Sequence, residues 1–361
     1  MAQIVNQNQA QRVSPAQRAE MFSHMTRKHL QVDAPVSGVA DGRVSFVLPQ
    51  SRLLASTMLM VEATLTATHA TLTTYTPGAF APYSLIRQLR IETNNGFTPV
   101  RLSGRSIYFE SLLSHQASVF VPTMVGNARD IAVQGVVSSA GGTANRVRFC
   151  VDLEHVLNDR DPVGLILLQN KETVVTVTVD FDTIASIAPP AAGFTFALSA
   201  ITVTPMVKTY SIPAVAEAFP DLSILKLVQE QVQTIPGAGV QTVKLPTGTT
   251  YRKLAFFLTD AAGAGIPDFN IPGDLELVLN QADTPYRIRP SQLSALNTVH
   301  YGMTLPVGLF VFDMSAFMGL PNFSGARDYI DTERLTEFWL RFNAPSAGSV
   351  TVIYEILSQL R

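Results

Sequence analysis

One cysteine and six histidines are few reactive side chains for a chain of 361 residues. The lone Cys150 excludes an internal disulfide. It stands in Arg146-Val-Arg-Phe-Cys150-Val, where alternation reads as a strand, so a buried structural thiol is expected rather than a reactive one. His24, His29, His69, His115, His155 and His300 never fall at a His-x-His or HExxH spacing, so no metal centre is expected. GxGxxG, Walker A, GxSxG and CxxC patterns are missing too, and no cofactor is expected. Glu154-His155 lies near Asp159 and Asp161 without a nucleophile motif, so it is not read as a catalytic cluster. No apolar run reaches the ~18 residues of a spanning helix. Met1 to Arg12 is polar and rich in Gln and Asn rather than a secretory leader, so synthesis and assembly in a cytoplasm are expected. Charge is scarce: 15% of residues carry it and the formal net charge is −2. That leaves no basic excess for a nucleic acid as main partner.

Apolar residues are abundant. They make up 47% of the chain, with a mean hydropathy of +0.21. Disorder is excluded, sizeable cores are expected, and some surface should be buried in an assembly. The length fits about two domains.

The two halves echo each other. Glu172-Thr-Val-Val-Thr-Val-Thr-Val-Asp-Phe181 alternates apolar and polar residues as a strand with one face in a core. Glu333-Arg-Leu-Thr-Glu-Phe-Trp-Leu-Arg-Phe342 repeats its length, leading Glu and closing Phe. Asp161-Pro-Val-Gly-Leu-Ile-Leu-Leu168 precedes the first, and Leu305-Pro-Val-Gly-Leu-Phe-Val-Phe312 the second. Thr98-Pro-Val-Arg-Leu102 matches Thr284-Pro-Tyr-Arg-Ile288, with a helix-like stretch after each, Ser106 to His115 and Ser291 to His300. Gly42 to Pro49 matches Gly239 to Pro246, and Ala200-Ile-Thr-Val203 matches Ser349-Val-Thr-Val352. The order is the same in both halves while the offsets vary. This is a duplicated β domain with insertions, not a solenoid.

Strands are expected at 43–48, 53–67, 84–93, 97–102, 146–152, 163–168, 172–181 and 197–210 in a first domain, residues 34–212. In a second, residues 213–361, they are expected at 225–234, 240–245, 251–259, 274–280, 285–289, 306–312, 333–342 and 349–357. Asn94-Asn95-Gly96 marks a hairpin turn. Eight strands per half without βα alternation give an all-β chain of two tandem sandwiches or jelly rolls. The join from Ser211 to Pro220 has no long flexible linker, so rigid side-by-side packing is expected. Arg101 and Arg287 hold equivalent strand positions and are expected in strand-face salt bridges. The first half has a much longer connection between Thr98 and Pro162 than the second has between Thr284 and Pro306. It reads as a long surface loop, either one that clasps a neighbouring subunit or a mobile one with no partner. The second half has its own insertion, Asp313 to Asp331, where Phe317, Met318 and Phe323 suit an inter-subunit contact. Asn322-Phe-Ser324 matches the glycosylation pattern by chance.

Residues 1–33 read as an N-terminal arm. Ser14 caps a helix, Pro15 takes its first position and Gln17 closes a capping box. The helix is expected to run to about His29, with Met21, Phe22 and Met25 on one side and Arg18, Arg27 and Lys28 flanking them. Two readings stand: packing on its own domain or a neighbouring subunit, or lying on an anionic membrane.

Three features carry a family resemblance. The opening Met1-Ala-Gln3 with Ser14-Pro-Ala-Gln17 is one. The stretch from Val151-Asp-Leu-Glu through Asn158-Asp-Arg-Asp-Pro-Val-Gly-Leu-Ile-Leu-Leu-Gln-Asn170 to Val179-Asp-Phe181 is another. The duplication is the third. Together they resemble the double jelly-roll major capsid proteins of tectivirus-type bacteriophages, icosahedral viruses with an internal membrane. The resemblance implies two tandem eight-stranded jelly rolls with short helices in loops. It implies a homotrimer that forms a pseudo-hexameric capsomer and tiles a shell around the membrane, with the arm beneath. Neighbouring trimers, the internal viral membrane and minor capsid or vertex proteins would be its partners, with no direct sequence-specific nucleic acid binding. It implies no catalysis and a place in the virion capsid. Two other readings remain at this level: a cytoplasmic duplicated β-sandwich enzyme or carbohydrate-binding protein, and a minor spike or vertex protein.

Overall fold

The computed structural model describes residues 14–94, 96–114, 136–157, 163–169, 172–281, 283–314 and 329–359. Alternation decides its strands. In β4 (Leu53–Thr68), Leu59, Val61, Ala63, Leu65 and Ala67 are buried while Met58, Met60, Glu62, Thr64 and Thr66 are half-buried. In β11 (Val175–Phe181), Val175, Val177, Val179 and Phe181 point into the same core.

The first sheet runs β1-β12-β4, with β1 Lys28–Val32 and β12 Thr195–Tyr210. Along the free side of β4 lie β9 (Thr143–Glu154) and then β10 (Ile166–Leu167), while β2 (Val36–Gly38) also pairs with β12. Facing it are β3 (Arg43–Val47), β11, β6 (Ile86–Thr93) and β7 (Phe97–Leu102), in that order. A small pair, β5 (Thr74–Tyr75) with β8 (Val136–Val137), lies aside.

The second half repeats the permutation. One sheet runs β13 (Ile224–Ile235), β21 (Gly348–Gln359), β15 (Thr250–Asp260) and β18 (Leu309–Asp313), with β19 (Ile330–Asp331) also on β15. The other runs β14 (Gly239–Leu245), β20 (Phe338–Ala344), β16 (Leu275–Leu279) and β17 (Asp283–Ile288). In both halves the first, eighth, third and sixth main strands form one sheet, and the second, seventh, fourth and fifth the other. That is jelly-roll topology, twice.

The rolls are fused. β7 pairs in parallel with β13, Val100 opposite Val228 and Arg101 opposite Gln229, so one nine-stranded sheet crosses from roll to roll. Pairing two edges removes two rows of open amide and carbonyl groups. After β7 comes α2 (Gly104–Ser114), and after β17 comes α3 (Pro290–Tyr301). The paired echoes fall as expected: β3 with β14, β7 with β17, α2 with α3, β11 with β20 and β12 with β21. The Pro-Val-Gly echo needs correction. Gly164 and Gly308 both have positive φ and both lead onto the edge of a third strand. Yet Leu167 pairs with Leu53 at the end of β4, whereas Leu309 pairs with Phe257 inside β15. Register makes β9, with Asp152 for Asp313, the counterpart of β18.

The arm also differs. Helix α1 (Pro15–Met25) has its capping box, Gln17 N–H to Ser14 and Ser14 N–H to Gln17, but stops four residues early. The Thr26 hydroxyl donates to the Phe22 carbonyl at 2.7 Å, and the chain turns extended. Residues 28–32, expected in the arm, are β1, held by β12. Their pattern was illegible because an edge strand with little burial needs no alternation of polarity.

Gly104 sets the start of α2. A Cβ there would lie 2.0 Å from the Tyr83 carbonyl oxygen and 2.5 Å from that of Ile86. Gly104→Ala should therefore cost more than the ~1–3 kcal/mol of ordinary overpacking, because backbone cannot swing aside. Gly237→Ala, with open space around it, should be near neutral. Urea midpoints of the two variants check this.

Candidate assembly surfaces

The joint between the rolls is built by α2. It lies on the outer face of the second roll's β13-β21-β15-β18 sheet. Phe109 meets Phe257 with ring centroids 4.9 Å apart, and the Arg105 guanidinium sits 5.0 Å above the Phe257 ring while donating to Thr351 at 2.7 Å. Ser103, ahead of the helix, donates to Glu230 through both its amide and its hydroxyl. Beneath the helix is a row of buried charges. Glu355 meets Lys226 at 3.2 Å and Arg252 at 3.1 Å; Lys253 meets Glu110 of α2 at 3.8 Å. Tyr301 donates to Asp313 at 2.5 Å. Burial works against the Glu355 charge, but Lys226, Lys253 and Arg252 outweigh it and hold its pKa down at about 2. Burial likewise opposes the Lys253 charge, and Glu110, Glu355 and Asp313 reverse that and raise its pKa.

The matching face of the first roll is open. Cross-strand register in the second roll gives the row Val228–Glu355–Lys253–Asp313. In the first roll the corresponding row is Val32–Met206–Met58–Asp152. The outer residues are kept, and two methionines replace Glu355 and Lys253, whose ion pairs run to Lys226, Arg252 and Glu110. The next row adds Met60 beside Cys150. Leu30 and Val32 are 65% and 59% exposed. The Cys150 thiol is half-buried on this face, and burial pushes its pKa up to about 11, so it is no nucleophile.

The arm residues separate. Phe22 is buried against Tyr210, ring centroids 5.2 Å apart, among Leu53, Ala55, Val156 and Leu165. Arg18 and Met21 are half-buried; Met25, Arg27 and Lys28 are exposed. Lys28 lies 5.9 Å over the Tyr210 ring. Phe317, Met318, Phe323 and His115 lie outside the described residues.

Among the described residues the reactive groups do not converge. His155 is buried with Nε2 2.9 Å from the Thr57 hydroxyl, and burial first, then Lys226, lowers its pKa to about 3. Among the described residues no three His, Cys, Asp or Glu side chains are placed to share a metal ion. Arg287 bridges Asp274 at 2.7 Å and Glu276 at 3.3 Å, the expected strand-face pairing. Sequence reading missed the ion-pair row, because its members are scattered from Glu110 to Glu355 and only register aligns them.

This is a double jelly-roll chain, the fold of viral major capsid proteins. No protein-family model matches the sequence, and no curated protein does. Solved structures do. The major capsid protein of STIV, Sulfolobus Turreted Icosahedral Virus, superposes with a TM-score of 0.69 at 11% identity, over 92% of this chain and 97% of that one. A chain of the PBCV-1 virus capsid gives 0.57 at 10% identity, over 92% and 95%. The major capsid protein P2 of bacteriophage PM2 gives 0.55 at 10% identity, over 93% and 98%.

The joint should be acid-sensitive. A carboxylate whose folded pKa is depressed contributes stability that is present above its ordinary pKa, 4.5, and lost as pH falls from there towards 2. Glu355→Gln should cost ~3–5 kcal/mol at pH 7, since it strands Lys226 and Arg252. The gap to the wild type should shrink between pH 4.5 and 2. Denaturant midpoints across that range measure it; a constant gap would mean that ionisation of Glu355 is not the source.

Proposed function

We propose that this chain is a viral major capsid protein that trimerises into pseudo-hexameric capsomers and tiles an icosahedral shell. The observation that carries the reading is the pair of fused jelly rolls, matched over 92% and 93% of this chain by the capsid proteins of STIV and PM2. Two rolls per chain give a trimer six similar units, which is what a six-neighbour lattice position needs. Exposed Leu30, Val32, Leu296 and Val299 supply apolar surface of the kind obligate interfaces bury. The role is assembly rather than a reaction. We place the roll boundaries near residues 34–212 and 213–361, with β1 lent by the arm.

The narrower parts rest on the sequence resemblance: a tectivirus-like bacteriophage, an internal membrane, minor capsid or vertex partners, and assembly in the host cytoplasm. In that reading Arg18, Met21, Met25, Arg27 and Lys28 face lipid or a neighbour while Phe22 anchors the helix to its own roll. Phe317, Met318 and Phe323 would lie in an inter-subunit loop.

Two outcomes are expected. Light scattering on a sizing column should give about three times 39.1 kDa, with hexagonal outlines in negative stain; a monomer would sink the capsid reading. Deleting residues 1–25, which spares β1, should leave that mass unchanged but abolish flotation with vesicles rich in anionic lipid. Undiminished flotation would remove the membrane role of the arm.

A further inference from the structure

The chain contains its own template for meeting another copy. Inside it, the first roll presents the β7 edge and α2. The second roll receives them on β13 and on the outer face of its sheet. The second roll presents the same two elements again, and the first roll has the same receiving surface. Among the described residues, β17 pairs only with β16, and β1 only with β12. Neither edge has found the partner that its counterpart has.

The helices show what the missing contact is. Carrying the β7–β17 correspondence onward pairs Ile107 with Leu293 and Ser111 with Asn297, and all four are buried. The same alignment pairs Phe109 with Ala295, Glu110 with Leu296 and Leu113 with Val299. In α2 these three are buried, Phe109 and Glu110 against the second roll. In α3 they are exposed, Leu296 by 42% and Val299 by 76%. The receiving faces change to match. Glu110 meets Lys253, and in the row correspondence Lys253 becomes Met58. The glutamate has become Leu296. So an ion pair within the chain corresponds to an apolar pair on two open surfaces. Sequence has altered both sides together, which a solvated helix and a solvated sheet would not require. Methionine is also suited to a contact made after folding, because its unbranched chain adapts to the incoming surface.

We propose that α3 and β17 of one copy dock on β1 and the Met58–Met206 face of a second copy, head to tail, repeating between chains the joint that the two rolls make within one. The inference rests on the capsid reading and names the surfaces that reading leaves unassigned. A head-to-tail contact gives a ring where its rotation closes and a filament where it does not. With rolls alternating around a ring of six, closure comes at three chains.

The test is to rebuild the internal ion pair between copies. Leu296→Glu and Met58→Lys are made singly and together, with far-UV circular dichroism and thermal melting confirming that each chain folds. Leu296 is exposed and Met58 is half-buried on the outer face of its sheet, so folding should survive. Each single variant should fall from three chains to one in light scattering, with association weakened about a hundredfold by the unpaired buried charge. The double variant should return to three chains, because each copy then offers the carboxylate introduced on α3 to the ammonium introduced on a neighbour's β4. Folded single variants that remain trimeric would overturn this interface and leave the capsid reading standing. A folded double variant that stays monomeric would overturn the Leu296–Met58 pairing. A monomeric wild type would take down both readings.

Discussion

Two sheet edges meet at Val100–Arg101 and Val228–Gln229, and the architecture depends on that meeting. A jelly roll closes its core but leaves its outermost strands with open hydrogen-bonding groups. Joining β7 to β13 covers one such pair of edges and fixes the second roll relative to the first. α2 then locks the angle, because its aromatic and charged side chains fit only one place on the second roll's sheet. The charges beneath it, Lys226, Arg252 and Lys253 with Glu110 and Glu355, are poor sources of net stability for their number. They are good sources of specificity, since any slip in register leaves one of them unpaired.

The same physics underlies the assembly proposed above. A roll that has learned to present one side and receive on the other needs a partner at each end. A second roll in the same chain supplies one partner and recreates the unmet need at both ends. The first roll's outer face has Met206 and Met58 where the second has the buried charges Glu355 and Lys253, with Met60 in the next row, and this is the apolar chemistry that the proposed interface draws on. The arm follows a different rule. Phe22 ties α1 to its own roll, while the flanking basic residues stay outside.

Much of this was legible in the chain. The period-two pattern of β4, β11, β12 and their counterparts placed all the expected strands but 333–342 within about three residues of their observed bounds, because strands buried on one face must alternate. The echoes of β7 with β17 and of β11 with β20 survived because Arg101, Arg287, Phe181 and Phe342 hold equivalent places in equivalent strands. The Pro-Val-Gly echo misled by register, since a glycine at positive φ marks an entry to a strand and not the place where the strand pairs. β1 went unseen because Lys28-His-Leu-Gln-Val32 gains its strand character from β12 rather than from its own pattern.

By itself, then, the sequence determined that the chain is all-β, duplicated and poor in catalytic groups, since alternation, repeat order and residue scarcity are local properties. Only the tertiary structure decided which edges pair, that α2 seals the joint while α3 lies open, and that the Glu355–Lys253 row answers to Met206–Met58. Those facts depend on residues more than a hundred positions apart coming opposite one another, and register across a sheet is written in no single strand.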